Sequence, residues 1–434
     1  MTTRRRFLRH TACAVAAAAL RPIPVIGQAR PRVVVIGGGP GGGTAATRVA
    51  KDSSGTVDVV LIEPERNFTS CFHSNLVIGG FRSFESITHP YDRLTDIHGI
   101  RVIEQFAASV DRDRRKVALA DGSSVTYDRL VMAPGIELIY ESVPGWGKAH
   151  EEVMPHGWKA GRQTRIIMER MAAVPDGGVV VVAAPPMPYR CPPGPYERVS
   201  MLAHLLKSTG RTRCKIVILD AKPTFAKQAL FLDGWQNHYP GMIEWHGPAE
   251  HGGLKHLDPA TGTVATANWE WKNAALVNVI PAQRAGHIAQ ASGLTDATGW
   301  CPIEAESMRS KIDPNIYVLG DSAAAGDMPK SGYAANSQAK VAAADILHAL
   351  VGEEPRPVTY SNMCYSLIAA DDAVKIGARY VPRDGRITAA SAYISTVGET
   401  AEVRRQTQVE NRGWYSGLVA DMFADYFGSL RIAN

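Results

Sequence analysis

No stretch of this sequence reaches the roughly 20 consecutive apolar residues that a bilayer-spanning helix needs; the nearest is the short run from Ala12 to Leu20. A Cys-x-x-Cys-His haem attachment site is missing, and so is any Cys or His spacing of the zinc type, so no metal centre is expected. Low-complexity tracts and internal repeats are also missing, which leaves the composition of an ordinary globular protein, 45% hydrophobic and 21% charged. At 434 residues the chain is too long for one ordinary core, so two or three domains are expected.

The net charge of +5 is owed to one end of the chain. Residues 1–29 hold five of the 47 basic residues and no acid, which leaves 42 basic against 42 acidic residues in the rest. Nothing in that balance calls for nucleic acid or for an anionic membrane as partner. The same 29 residues read as an export signal: Thr3-Arg4-Arg5-Arg6-Phe7-Leu8 is a twin-arginine pattern, followed by a small apolar segment and the small-x-small site Gly27-Gln28-Ala29. Such export carries proteins already folded around a cofactor, and the expected location is a bacterial periplasm. Of six cysteines, Cys13 leaves with the signal, so Cys71, Cys191, Cys214, Cys301 and Cys364 remain. An oxidising compartment makes a disulfide plausible, and the odd count asks for one thiol with another fate.

Arg32-Val33-Val34-Val35-Ile36 is a β-branched run ending in glycines, and Val57 to Ile62 is the next strand, so 32–62 forms one βαβ unit. Between them Gly-x-Gly-x-x-Gly falls at Gly37, Gly39 and Gly42. Gly37 permits the tight turn, Gly39 lets a pyrophosphate approach the backbone, and Gly42 allows the helix to pack closely on the strand. Glu63 ends the second strand, where its carboxylate can accept hydrogen bonds from ribose hydroxyls. A distant element selects FAD over NAD. Gly320-Asp321 ends the late strand beginning at Ile316 and precedes a helix starting near Lys330-Ser331-Gly332-Tyr333. In flavoproteins with two dinucleotide domains such an Asp meets the ribityl or pyrophosphate part of FAD, and the helix points its positive N-terminus at the flavin.

A second α/β pattern starts at Gly178, with a strand from Val179 to Val182, a helix over Tyr196–Ser208 and a strand over Lys215–Leu219. Here Ala183-Ala184-Pro185-Pro186 replaces the glycine fingerprint. Prolines remove amide donors and side chains block the phosphate approach, so NAD(P)H is not expected as electron donor. The expected fold is α/β: two Rossmann-like domains in the glutathione-reductase manner plus a small C-terminal interface domain. The FAD domain takes 30–143 and 282–353, the second domain 144–281, and the interface domain 354–434, which shows no clear rhythm but carries Trp414, Tyr415, Phe423, Tyr426 and Phe427.

Thr69 to Asn75, Ala133 to Tyr140, Arg190 to Arg198, Met328 to Tyr333 and Cys364-Tyr365-Ser366 together resemble the flavin subunits of flavocytochrome c sulfide dehydrogenases, over nearly the whole chain from Arg32. The resemblance implies that Cys71 forms a thioether to FAD, and that Cys191 and Cys364 form the redox-active disulfide beside the flavin. It also implies that Glu197 is a carboxylate next to that pair. Plainer readings stand beside these: a buried hydrophobe for Cys71, a structural bridge for the pair, a solvated helix-start acid for Glu197. The implied chemistry is oxidation of hydrogen sulfide, and the implied partner is a c-type cytochrome subunit in a heterodimer, because this chain has no haem motif of its own. Two rivals remain. Sulfide:quinone oxidoreductase shares fold and chemistry, and the aromatic segment Trp414 to Leu430 keeps its membrane-binding terminus open. An accessory sulfur-carrier flavoprotein is the other, though it would more naturally lack Cys191 or Cys364.

Overall fold

The structure, a computed structural model, describes residues 30–423. The expected export signal over 1–29 lies outside the described residues, as do Tyr426 and Phe427.

Strands β1 (Arg32–Ile36) and β2 (Asp58–Ile62) pair in parallel, and α1 (Pro40–Asp52) crosses between them. β3 (Arg101–Ile103) and β4 (Arg129–Met132) extend this sheet on either side. Val33, Val34 and Val35 have no exposed surface, which explains the unbroken apolar run: strands of a parallel sheet are covered on both faces. A second parallel sheet follows, built from β5 (Val179–Ala184), β6 (Lys215–Asp220), β7 (Ile243–His246) and β8 (Leu276–Val279) in the spatial order β7-β6-β5-β8. Helices α2 (Gly194–Ser208) and α3 (Gln228–His238) connect its first three strands. The chain then returns, and β9 (Ile316–Val318) completes the first sheet as β9-β4-β1-β2-β3. Both sheets are doubly wound, so ligands are expected at the carboxyl ends of their strands.

Helix α4 (Gly332–Val351) packs on α1 and leads into the region where the sequence shows no rhythm. That region is regular after all. β10 (Tyr360–Ala369), β11 (Asp372–Arg383) and β12 (Arg386–Ile394) form an antiparallel meander, and α5 (Ala401–Phe423) returns to the first domain. There the Thr47 hydroxyl donates to the Met422 carbonyl at 2.7 Å. Cys214 sits in the turn before β6, 1% exposed, with its thiol 3.2 Å from the Pro175 carbonyl. Among the described residues no helix is long and apolar enough to cross a membrane, and no cluster of three or more His, Cys, Asp or Glu is placed to hold a metal.

Candidate active site

The carboxyl ends of β1, β2, β4, β5 and β9 open onto a cavity of about 730 Å³. Its floor at one end is the glycine loop. Gly37 has φ +94°, and a Cβ there would lie 2.4 Å from the Ala133 carbonyl oxygen, so the turn accepts only glycine. Gly39 is the N-cap of α1, has no side-chain cap, and a Cβ on it would meet nothing within 4 Å. The first amides of α1 are therefore left for a ligand, and a negatively charged one suits the helix end. Gly42 faces away from the cavity, under the helix: its Cβ would fall 1.8 Å from the Gly37 oxygen. Glu63 lines the cavity, and its carboxylate accepts the Gly38 amide at 2.7 Å and the Glu65 amide at 3.2 Å. Burial pushes its pKa up and these two amides hold it back.

Further along, Asp321 lies just after β9 and pairs with Arg190, Oδ2 to Nε at 2.6 Å. Its other oxygen, Oδ1, is buried without a hydrogen-bond partner, as is the Trp158 indole N–H that also faces this region. A buried acceptor without a donor is costly, and a ligand hydroxyl would satisfy it. Arg190 also stands by Cys71, whose thiol is pushed up by burial and drawn back down by that guanidinium. The loop carrying Cys71 is fixed by His73, which has φ +67° and a pKa lowered to about 3 by burial. The neutral ring accepts from Arg82 Nη1 at Nδ1 (2.6 Å) and donates from Nε2 to Asn411 Oδ1 (2.8 Å).

Gly320 and Gly332 line the cavity, but two expected contacts do not. Lys330 turns back, donating to the carbonyls of Asp321 (2.7 Å) and Ala323 (2.9 Å) with its ammonium 3.6 Å from the centre of the Trp300 ring. Unpaired strand-end carbonyls offer this cation more than an open cavity would. Tyr333 stacks on Trp414, and it is Trp414 that reaches the cavity.

At the other end the cavity meets the second sheet and the meander, and Cys191, Cys364 and Glu197 come together there. Cys191 sits at φ +55°, a conformation that costs a non-glycine residue about 1–2 kcal/mol and is held by its amide donating to the Lys330 carbonyl at 2.7 Å. Cys364 projects from β10. The structure carries the two as separate thiols, not as the bridge that the resemblance implies. Burial is the first cause raising the pKa of both; Cys364 is the next for Cys191, whereas at Cys364 the charge of Lys227 works against burial. Glu197, in the first turn of α2, accepts from Asn75 Nδ2 (2.8 Å) and from the Leu367 amide (3.0 Å). It is 9% exposed, and burial raises its pKa against the pull of those bonds. Asn75 in turn accepts from Arg198 Nε at 3.0 Å, so one amide ties a buried guanidinium to the buried carboxylate.

Lys227 was not singled out by the sequence, yet it is 5% exposed with its ammonium 2.9 Å from Ser366 Oγ, beside Cys364. No local signal marks it, because its neighbours come from β10 and β11, more than 130 residues away.

The parts fit a dinucleotide: open amides at a helix start, a glycine a phosphate can approach, a carboxylate at the end of β2 and an unsatisfied acceptor at Asp321. Comparison with known proteins agrees. Residues 31–165 match the family profile described as "Pyridine nucleotide-disulphide oxidoreductase". Residues 164–281 match "Sulfide dehydrogenase [flavocytochrome c] flavoprotein chain, central". Residues 356–423 match "Flavocytochrome c sulphide dehydrogenase, flavin-binding". A mitochondrial sulfide:quinone oxidoreductase of Mus musculus is 24% identical over 345 residues, 75% of this chain and 72% of that protein. A sulfide-quinone reductase of Aquifex aeolicus is 30% identical over 194 residues, 44% of this chain and 43% of that protein. The crystal structure of the sulfide:quinone oxidoreductase from Aquifex aeolicus superposes with a TM-score of 0.70 at 19% identity, covering 92% of this chain and 93% of that one, which shows the shared fold. With two of its three profile matches specific to them, the chain belongs to the flavoprotein chains of flavocytochrome c sulfide dehydrogenase, a family of FAD-dependent, sulfide-oxidising oxidoreductases.

Proposed function

We propose that this chain oxidises hydrogen sulfide to sulfur or polysulfide through a Cys191–Cys364 bridge and delivers the electrons to a separate c-type cytochrome subunit in the periplasm. One observation carries the reading: Cys191 and Glu197 from one segment and Cys364 from another, more than 160 residues on, converge on the cavity that also presents Gly37 to Gly41 and Asp321. The glycine loop would hold the FAD pyrophosphate, Glu63 a ribose, Asp321 a hydroxyl, and Cys71 a covalent link. FAD, when bound, supplies the two-electron acceptor beside the cysteines. Hydrosulfide opens the oxidised bridge at one sulfur, forming a persulfide and freeing the other cysteine. Glu197, buried and with a raised pKa, is suited to take up and return the proton. The absence of a haem motif in the sequence makes a separate electron acceptor necessary, and the twin-arginine pattern of 1–29 supports the compartment.

Two features of the second sheet support the reading that NAD(P)H is not the electron donor. Besides the prolines after β5, Asp220 at the end of β6, where a ribose-binding carboxylate would stand, is fully buried. The Tyr196 hydroxyl, the Trp245 indole at 3.0 Å and the Lys222 ammonium at 2.5 Å all donate to it. The test is an anaerobic flavin-reduction assay with two acceptors. Sulfide should bleach the flavin, NADH should not, and cytochrome c should be reduced. Fast bleaching by NADH would sink the donor assignment, and reduction of decylquinone but not of cytochrome c would move the chain to quinone chemistry.

A further inference from the structure

Lys227 stands where fold stability gives it little reason to be. Its side chain is nearly fully buried, its backbone has φ +64°, and it occupies the N-cap of α3, the positive end of a helix. Burying a charge, adopting a left-handed conformation and placing a cation at a helix start each cost free energy. Among the described residues no carboxylate forms an ion pair with it. Its ammonium donates instead to Ser366 Oγ at 2.9 Å and to the carbonyls of Cys364 and Val374, each at 3.5 Å. Glu197 offsets this charge only at longer range, without a direct ion pair. Strain and a buried charge so weakly compensated that persist in a fold point to a task.

We infer that Lys227 is the positioning residue of the cysteine pair: it keeps the sulfur carried by Cys364 negatively charged once the bridge is open. This rests on the bridge chemistry proposed above. Hydrosulfide brings one negative charge and one proton; one S–S bond breaks, one forms, and the bridge is reduced as the incoming sulfur is oxidised. The balance holds whichever cysteine keeps that sulfur, as a thiolate or as a persulfide anion on Cys364 with the proton on the Cys191 side. Lys227 makes the two sides unequal. At Cys364 it is the foremost influence opposing burial, with Asn362 helping from the same strand. At Cys191 the influences of Cys364, Glu197 and Cys71 all oppose ionisation and Lys227 ranks behind them. Glu197 opposes ionisation at Cys364 too, but ranks behind Lys227 there. Other titratable neighbours are Tyr380, which faces Cys364 from β11, and Tyr189, Arg190 and Arg198, which face Cys191. The cavity reaches both cysteines, so a small anion entering it meets a pair that has this cation behind Cys364.

The test needs no sulfide. The reduced, FAD-containing protein is alkylated anaerobically with iodoacetamide across a pH series, and the Cys191 and Cys364 peptides are quantified by mass spectrometry. In the wild type the midpoint for Cys364 should lie below that for Cys191. Lys227→Gln, which keeps an N–H donor and removes the charge, should raise the Cys364 midpoint by about one unit, lowering its alkylation on the acid side about tenfold. Lys227→Arg and Ser366→Ala should leave it in place, because one keeps the charge and the other removes only a neutral partner. A Cys364 midpoint above that of Cys191 in the wild type, or one unmoved in folded Lys227→Gln, overturns the proposal; so does a Ser366→Ala shift as large as that of Lys227→Gln. If Cys191→Ser still oxidises sulfide, the bridge chemistry fails by itself, and the midpoints still decide the role of Lys227 independently.

Discussion

Alanine at Gly39 and at Gly42 should separate cofactor binding from folding, although both glycines belong to one fingerprint. At Gly42 the new Cβ would fall 1.8 Å from the Gly37 oxygen and 3.1 Å from Val35 Cγ1. Real Cβ contacts do not fall below 3.0 Å, so α1 must withdraw from β1 by more than 1 Å. Overpacking of this kind costs about 1–3 kcal/mol, or roughly 2 °C of melting temperature for each kcal/mol in a chain of this size. At Gly39 the Cβ meets nothing within 4 Å and φ is −68°, so the flavin-free fold should stay within about 0.5 kcal/mol of wild type. That methyl, however, projects where the pyrophosphate would approach, and FAD affinity should fall at least about tenfold, or 1.4 kcal/mol. The assay is thermal unfolding of flavin-free protein together with FAD titration by fluorescence quenching. Both are done in a Cys71→Ser background so that flavin can be removed and returned. Gly39→Ala binding FAD as tightly as its parent would mean that the dinucleotide lies elsewhere. Gly42→Ala melting with its parent would mean that α1 does not bear on Gly37 as described.

Three further outcomes are expected. With FAD attached through Cys71, acid precipitation leaves yellow colour in the pellet, and Cys71→Ser releases it to the supernatant; colour released from the wild type refutes the covalent link. Cys191→Ser and Cys364→Ser should each keep FAD and a near-normal melting temperature yet lose sulfide-dependent flavin reduction by orders of magnitude, whereas a merely structural bridge would contribute roughly 2–4 kcal/mol of stability and spare catalysis. Burial raises Glu197 above the ordinary 4.5 of a glutamate, so its proton stays on to higher pH and the acid limb of the sulfide pH–rate profile should lie above that value. Glu197→Gln should flatten that limb, and an unchanged limb would remove Glu197 from the proton path.

How much of this was legible in the sequence depends on how far apart the interacting residues lie. The glycine turn, its two strands and Glu63 fall within one βαβ unit, where hydrophobic period and glycine spacing report local geometry directly. The meander after Tyr360 was not readable, because β12 is exposed along almost its whole length and β10 and β11 mix buried and half-buried positions without regular alternation. Lys330 shows the limit of reading a helix start: its position is where the sequence put it, but free carbonyls of its own loop capture the ammonium. Sequence alone therefore determined the dinucleotide turn, the parallel strands and the kinship that nominated Cys71, Cys191, Cys364 and Glu197. Only the tertiary structure decided that Asn75 and Leu367 hold Glu197, and that Lys227 lies behind Cys364. Those contacts join segments far apart in the chain, and a charge placed by such packing leaves no periodicity or spacing along the chain to be read.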